Sequence, residues 1–279
     1  MKKHCLFVFI ASLIGFNAFA QSDSITFVKA RWETQEIAPG LIFKHFQFEK
    51  CLFDTNENIS ILEINPSKKL KIALGYEKQL LKKVSDFGKS ANALAAINGS
   101  FFDVKNGGSV DMLRFNGELI STNHLDKSGE RARHQRSALL FNKGKLSIAK
   151  WDGTPDWESK LSGDMLNTGP LLIYNNSPQV LDSTLFTRAR HPRTAIVITH
   201  NRVLLITVDG RNANSAGVNL HELTKILTWL KANQGINLDG GGSTTLWTNK
   251  NGVMNYPCDN KKWDHEGERK VANVVLVTQ

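Results

Sequence analysis

Between Val203 and Leu246 the chain carries a unit that few architectures accommodate. An apolar β-branched run, Val203 to Val208, ends in Asp209-Gly210-Arg211, and a second, Ile236 to Leu238, ends in Asp239-Gly240-Gly241-Gly242-Ser243. Between them Asn219 and Glu222 occupy the N-cap and N3 positions of a helix, where each side chain can satisfy the other's free backbone donor. Leu220, Leu223, Ile226, Leu227 and Leu230 share one face of that helix, and Gly235 is expected to end it in a left-handed cap. If the two strands are parallel, the unit is a right-handed crossover with both Asp-Gly pairs at one sheet edge, where open sheets bind ligands. Neighbouring strands about 4.8 Å apart would then bring Asp209 and Asp239 near the separation of about 5–9.5 Å that pairs of glycosidic carboxylates use. An intervening strand would break that spacing argument.

The remaining pattern is strand-rich. Ser24 to Ala30, Leu41 to Phe48, Ile59 to Ile64 and Lys69 to Leu74 read as strands, Glu77 to Phe87 as a helix, and Ala91 to Ile97 as the approach to a loop. Thr194 to Thr199 and Val203 to Val208 form a hairpin around His200-Asn201-Arg202, and Val271 to Val277 is a closing strand. Hairpins combined with one clear crossover predict an α+β or mixed α/β fold: a mixed β-sheet with packed helices in a single domain. No linker or repeat divides the chain.

Met1 to His4 is a short basic start, Cys5 to Phe16 is apolar, and Ala18-Phe19-Ala20 is a small-x-small cleavage pattern. This is the pattern of a signal peptide over residues 1–20, cleaved after Ala20, so the expected product is a secreted or periplasmic domain spanning 21–279. No later apolar run is long enough to cross a bilayer. Of 279 residues, 35 are Lys or Arg and 26 are Asp or Glu, but the basic residues are scattered rather than gathered on one helix, which argues against a nucleic-acid partner. Once the leader is removed two cysteines remain, Cys51 and Cys258, and in an oxidising compartment they are expected to pair. The sequence is silent on oligomeric state.

The chemistry-bearing residues fall into three groups. Asp209 and Asp239 are the carboxylates. Gly240, Gly241, Gly242, Ser243 and Thr244 form a loop whose backbone can approach a ligand closely and turn N–H groups toward an anion. Arg193 and Arg211 offer planar donor sets suited to phosphate, with Arg190 and His191 close by in sequence. A third segment, Asn98-Gly99-Ser100-Phe101-Phe102-Asp103, joins loop formers to paired aromatic rings that serve either as core anchors or as a wall for a sugar. A Walker A loop, an H-E-x-x-H pair and a G-x-S-x-G elbow are all missing, which excludes the corresponding nucleotide-binding, zinc-hydrolase and serine-hydrolase readings.

Taken in order, the blocks Asn98-Gly99-x-Phe101-Phe102-Asp103, Gly169-Pro170-Leu171-Leu172, Pro192-Arg193-Thr194-Ala195, Asp209-Gly210-Arg211, Glu222-Leu223, Asn237 to Thr245 and Arg269-x-Val271-Ala272-Asn273 resemble the phosphodiester glycosidase family. The resemblance implies hydrolysis of a sugar-1-phosphodiester, such as an N-acetylglucosamine-1-phosphodiester, on a carbohydrate or phosphorylated glycan. It implies catalytic roles for Asp239, Asp209 and Arg193. Substrate contacts are implied for Asn98, Gly99, Phe101, Asp103, Arg211 and the Gly240 to Thr244 loop. A divalent cation held by Asp209, Asp239 and the phosphate is the one cofactor these residues suggest. The competing expectation is a non-catalytic envelope protein that binds phosphorylated glycans or acts in exopolysaccharide assembly.

Overall fold

The protein is described by a computed structural model covering residues 23–125, 127 and 129–279. The leader segment, residues 1–20, lies outside the described residues. Three sheets of eight, five and five strands make up the described structure. The largest has the strand order Glu33–Ala38, Leu41–Leu52, Thr55–Ile64, Val203–Val208, Arg193–Ile198, Gln234–Asn237, Leu171–Tyr174 and Ser177–Pro178. A second is built around Ser137–Asn142 and Asp164–Asn167, and a third around Ala95–Asn98 and Asn273–Thr278.

The central strands 193–198 and 203–208 are buried almost throughout because both faces of the large sheet are covered. On one face Ile61, Ala195, Val197, Leu204 and Ile206 meet Leu223, Ile226 and Leu227 of the Leu220–Trp229 helix. On the other, Leu62, Ile196, Leu205 and Ile236 meet Leu139 and Phe141 of the second sheet and Ile97, Val275 and Val277 of the third. At about 25 cal/mol per Å² of apolar surface removed from water, this double burial is the main stabilising term.

The predicted mixed α+β or α/β sheet is therefore corrected: the fold is mostly β, and every strand pairing described is antiparallel. The crossover is real, but its two strands do not touch. Strand 193–198 pairs antiparallel with both 203–208 and 234–237, so these two run the same way with the third between them. The Asp209 and Asp239 strand ends are thus two strand spacings apart, about 10 Å, and the adjacency argument fails.

Local expectations divide along physical lines. The capping box forms, with Glu222 N–H donating to Asn219 Oδ1 at 2.9 Å and Asn219 N–H donating to Glu222 Oε2 at 3.0 Å. The hairpin of 193–198 with 203–208 also forms. The helix, however, ends at Trp229, with Lys231 at φ +60° just beyond it, while Gly235 lies in a strand. A Cβ at Gly235 would stand 2.7 Å from Leu227 Cδ1, so this glycine lets helix and sheet approach. Residues 23–29 are helical rather than extended, docked through Phe27 among Trp32, Phe48 and Trp229. Of the predicted 77–87 helix only 84–87 is helical, within a helix that runs Val84–Ser90. The backbone before it is claimed by the chain's end, Glu77 N–H bonding to Ala272 O and Lys82 N–H to Val271 O.

Candidate active site

Asn98 sits where the third sheet meets the large one. Its Nδ2 donates to the Asp239 carbonyl at 2.8 Å, and its Oδ1 accepts from Thr194 Oγ1 at 2.9 Å and Thr245 N–H at 3.1 Å. Asp239 N–H in turn donates to Gly99 O at 3.0 Å. Gly99 is required for this approach, because a Cβ there would lie 2.0 Å from Asn273 Oδ1. Asn98 and Gly99 thus fix the backbone of the site. With its oxygen filled by two donors, its NH2 turned to the Asp239 carbonyl and the residue 0% exposed, Asn98 presents no accessible group to a sugar hydroxyl.

Asp239 is only partly buried, and its two oxygens differ. Oδ1 accepts from Gly240 N–H at 2.9 Å, while Oδ2 makes no hydrogen bond among the described residues. Burial is the largest influence on its acidity and lifts the pKa to about 6, against the lowering effects of Ser243, Gly240, Arg269 and Arg211. The Ser243 hydroxyl approaches the carboxylate without forming a bond to it, and Ser243 Oγ remains buried and unpartnered.

The glycine-rich loop spends most of its donors on itself. Gly241 N–H bonds to Pro192 O at 2.8 Å, Ser243 N–H to Gly240 O and Thr244 N–H to Gly241 O, which leaves the Gly242 N–H outside these bonds. The cradle of several N–H groups expected for an anion therefore reduces to one free donor. Gly241, at φ +63°, admits the Arg211 guanidinium, 3.0 Å from where its Cβ would stand. Gly242 packs beneath the ion pair of Arg269 and Asp259. Thr244 Oγ1 lies 3.3 Å from Thr194 Oγ1 inside the core.

The two arginines separate into different roles. Arg193 is 2% exposed; its Nε donates to Val218 O at 3.0 Å and its Nη2 to Phe186 O at 2.7 Å and Ala189 O at 3.0 Å. Phe186 covers it, with the ring centroid 4.9 Å from the guanidinium carbon. Burial, helped by the charge of Arg211, lowers its pKa to about 10. Arg211 is exposed at φ +60°, with Nη2 3.4 Å from His191 Nδ1. Burial, with the charges of Arg193 and Arg211, depresses the His191 pKa and keeps that imidazole neutral. Arg190 is held by Glu222 and the Phe53 carbonyl.

Asp209 is 1% exposed with both oxygens engaged. Asn255 Nδ2 donates to Oδ1 at 2.7 Å, and Asn58 Nδ2 and Tyr256 N–H donate to Oδ2 at 2.7 and 3.1 Å. Burial raises its pKa against the opposing effect of these donors. Its geometry is that of a tie between strand 203–208 and the 255–256 segment, not of a reacting carboxylate. Asp103 likewise uses its side chain on its own loop, accepting from Lys105 N–H, Asn106 N–H and Asn106 Nδ2. These donors, the Asn106 N–H foremost, lower its pKa.

Asp209 has both oxygens taken by Asn58, Asn255 and Tyr256, and among the described residues no three His, Cys, Asp or Glu side chains group to hold a metal. The expected disulfide is also corrected: Cys51 is an exposed free thiol and Cys258 a half-buried one beside Arg211.

Phe101 was offered by the sequence as a sugar wall, but its neighbours His134, Phe186 and Asp111 carried no readable sequence signal. Phe101 presents its ring to His134 at 5.2 Å and to Phe186 at 6.1 Å, forming a partly exposed aromatic wall. His134 Nε2 lies 3.4 Å from Asp111 Oδ2, a buried oxygen with no hydrogen bond. Arg269 was visible only as part of the closing block. Beneath the Arg211 loop lies Glu57, 0% exposed, accepting from Gly217 N–H at 3.1 Å and Ser215 Oγ at 3.3 Å, with burial raising its pKa to about 8.

Unfolding releases the Glu57 proton near the ordinary value of 4.5, whereas the folded protein keeps it to about 8. Its contribution is therefore complete below pH 4.5 and is lost as pH rises through 8. The wild-type melting temperature is expected to fall more between pH 5 and 8 than that of Glu57→Gln. Parallel curves for the two proteins would show that Glu57 is ionised inside the fold.

By sequence, residues 91–278 match the phosphodiester glycosidase family profile. No curated protein sequence matches the chain. Among solved structures, a hypothetical protein from Synechocystis is similar with a TM-score of 0.66 at 16% identity, over 89% of this chain and 64% of that one. The chain therefore spans less than two thirds of that protein's length. The catalytic domain of zebrafish N-acetylglucosamine-1-phosphodiester alpha-N-acetylglucosaminidase, auto-inhibited by its pro-peptide, is similar with a TM-score of 0.65 at 20% identity, over 94% and 92% of the two chains. A putative exported protein from Burkholderia pseudomallei gives 0.57 at 16% identity, over 82% and 75%. At these identities the likeness is one of fold.

Proposed function

The chain belongs to the phosphodiester glycosidase family, and from that premise we propose that it hydrolyses a sugar-1-phosphodiester to free sugar and a phosphate monoester. The observation that carries this reading is the half-buried Asp239 carboxylate, one oxygen fixed by Gly240 N–H and the other without a hydrogen bond among the described residues, near the exposed guanidinium of Arg211. Water attacks the anomeric carbon, its proton passes to Asp239 Oδ2, and the bond from that carbon to the phosphate oxygen breaks. The departing phosphate monoester has a second pKa near 6, so it leaves without a strong general acid. One open carboxylate therefore suffices, and Asp209 is assigned a scaffolding role instead.

Arg211, with the Gly242 N–H, binds the phosphate and stabilises charge gathering on it. Phe101 and Phe186 flank the sugar or its aglycone. Arg211→Ala is expected to lower kcat/KM for a sugar-1-phosphodiester by about 10²-fold while changing aryl glycoside hydrolysis far less. Equal losses on both substrates would remove the phosphate assignment.

The reading itself is tested by incubating residues 21–279 with a panel of sugar-1-phosphodiesters in oxygen-18 water. Label in the sugar is expected. Label in the phosphate would mean P–O cleavage, and tight binding without product would favour a glycan-binding envelope protein. Action outside the cytoplasm follows from reading residues 1–20 as a leader; a mature N-terminus at Gln21 is the expected sequencing result.

A further inference from the structure

At the edge of the large sheet opposite Asp239, three turns converge around a groove of about 1080 Å³. They are the 65–71 segment, the 142–145 hairpin tip and the 199–202 hairpin tip. Strands 193–198 and 203–208 run the full distance between the two edges, about 20 Å for six residues. The groove is therefore separate from the site described above.

Lys68, Lys69, Lys71, Lys143, Lys145 and Arg202 line it, and no acidic side chain does so among the described residues. Arg202 is neutralised by Glu63, which also takes Lys44, and Lys71 Nζ donates to a main-chain oxygen of Gln279, the last residue of the sequence. Lys68, Lys69, Lys143 and Lys145 make no ion pair among the described residues and are exposed. The turns are tied together: Ile72 N–H donates to Gly144 O at 2.8 Å, and the Lys71 stem lies against Gly144, where a Cβ would stand 2.7 Å away. Like charges crowded on tied turns repel one another, and a polyanion relieves that repulsion.

We propose that this groove binds a linear acidic polysaccharide. Its floor is aliphatic, with Ile72, Leu146 and Ile198, and suits the C–H faces of pyranose rings under a cationic rim. The lining holds no Phe, Tyr or Trp, and its one ring, His200, offers no run of stacking platforms for successive nucleic-acid bases. Its concave form and lack of protruding apolar residues do not suit a bilayer surface. Bound here, a polymer is tethered to the protein through one edge while the opposite edge stays open.

The test is titration of residues 21–279 with a fluorescent alginate dodecamer at 50 and 200 mM salt, alongside neutral dextran, a single-stranded DNA 20-mer and phosphatidylglycerol vesicles. Alginate is expected to bind, more weakly at high salt, with dextran inert. The triple variant Lys69→Gln, Lys143→Gln, Lys145→Gln is expected to lose about tenfold or more in affinity and to show a flatter salt dependence. A control of equal charge, Lys89→Gln, Lys105→Gln, Lys231→Gln, is expected to bind as wild type. Equal losses in both variants, no loss in the first, or binding of DNA or vesicles in preference to alginate would overturn the proposal. The readout is binding, so it stands apart from whether the chain hydrolyses phosphodiesters.

Discussion

Asp239→Asn is expected to lower turnover of a sugar-1-phosphodiester by about 10²–10⁴-fold with no loss of melting temperature. The amide oxygen of asparagine can still accept from Gly240 N–H, and the backbone bonds to Asn98 and Gly99 do not involve the side chain. What disappears is an open oxygen able to take a proton. Because burial places the Asp239 pKa at about 6, wild-type kcat/KM is expected to climb with pH below that value and level off above it. The residual rate of the variant should lack that limb. Asp209→Asn supplies the contrast: its new NH2 would face Asn255, or Asn58 and Tyr256, all of them donors. That substitution is expected to lower stability first. Near-wild-type turnover by Asp239→Asn would end the proposed mechanism.

The second large effect is on the fold. Arg193→Ala leaves the Phe186 and Ala189 carbonyls without the guanidinium donors, while the Val218 carbonyl keeps the His191 N–H. At about 1–3 kcal/mol for each of the two groups left unpaired, the expected loss is about 2–6 kcal/mol, read as a lower urea midpoint. Arg193→Lys should recover only part of this, since an ammonium cannot reproduce the planar spread of Nε and Nη2. If Arg193→Ala unfolds at the wild-type urea concentration yet loses phosphodiester hydrolysis, the guanidinium belongs to the ligand and not to the scaffold.

Several elements were legible because their causes are local. The Asn219–Glu222 box needs only the residues between them, and the 203–208 run needs only its own apolar side chains. The loop Gly240 to Ser243 could be read as a place of close approach, and three of its positions admit Pro192, Arg211 and the Arg269–Asp259 pair. Residues 24–30 could not be read in this way: an alternating strand pattern became a helix because a single ring, Phe27, found an aromatic nest built from residues 32, 48 and 229. The first half of the 77–87 helix was lost for a similar reason, its backbone donors being taken by Val271 and Ala272.

Sequence by itself determined which groups stand at the strand ends, two Asp-Gly pairs and two arginines, because strand and turn chemistry is written over a few neighbouring residues. Tertiary structure alone decided which aspartate stays open and which arginine stays free. Asn58, Asn255 and the Tyr256 N–H occupy both oxygens of Asp209, and three carbonyls of residues 186–218 hold Nε and Nη2 of the buried Arg193, while Asp239 Oδ2 and the exposed Arg211 guanidinium keep capacity for a ligand. Hydrogen-bond capacity is finite, and the partners that exhaust it can come from any distance along the chain.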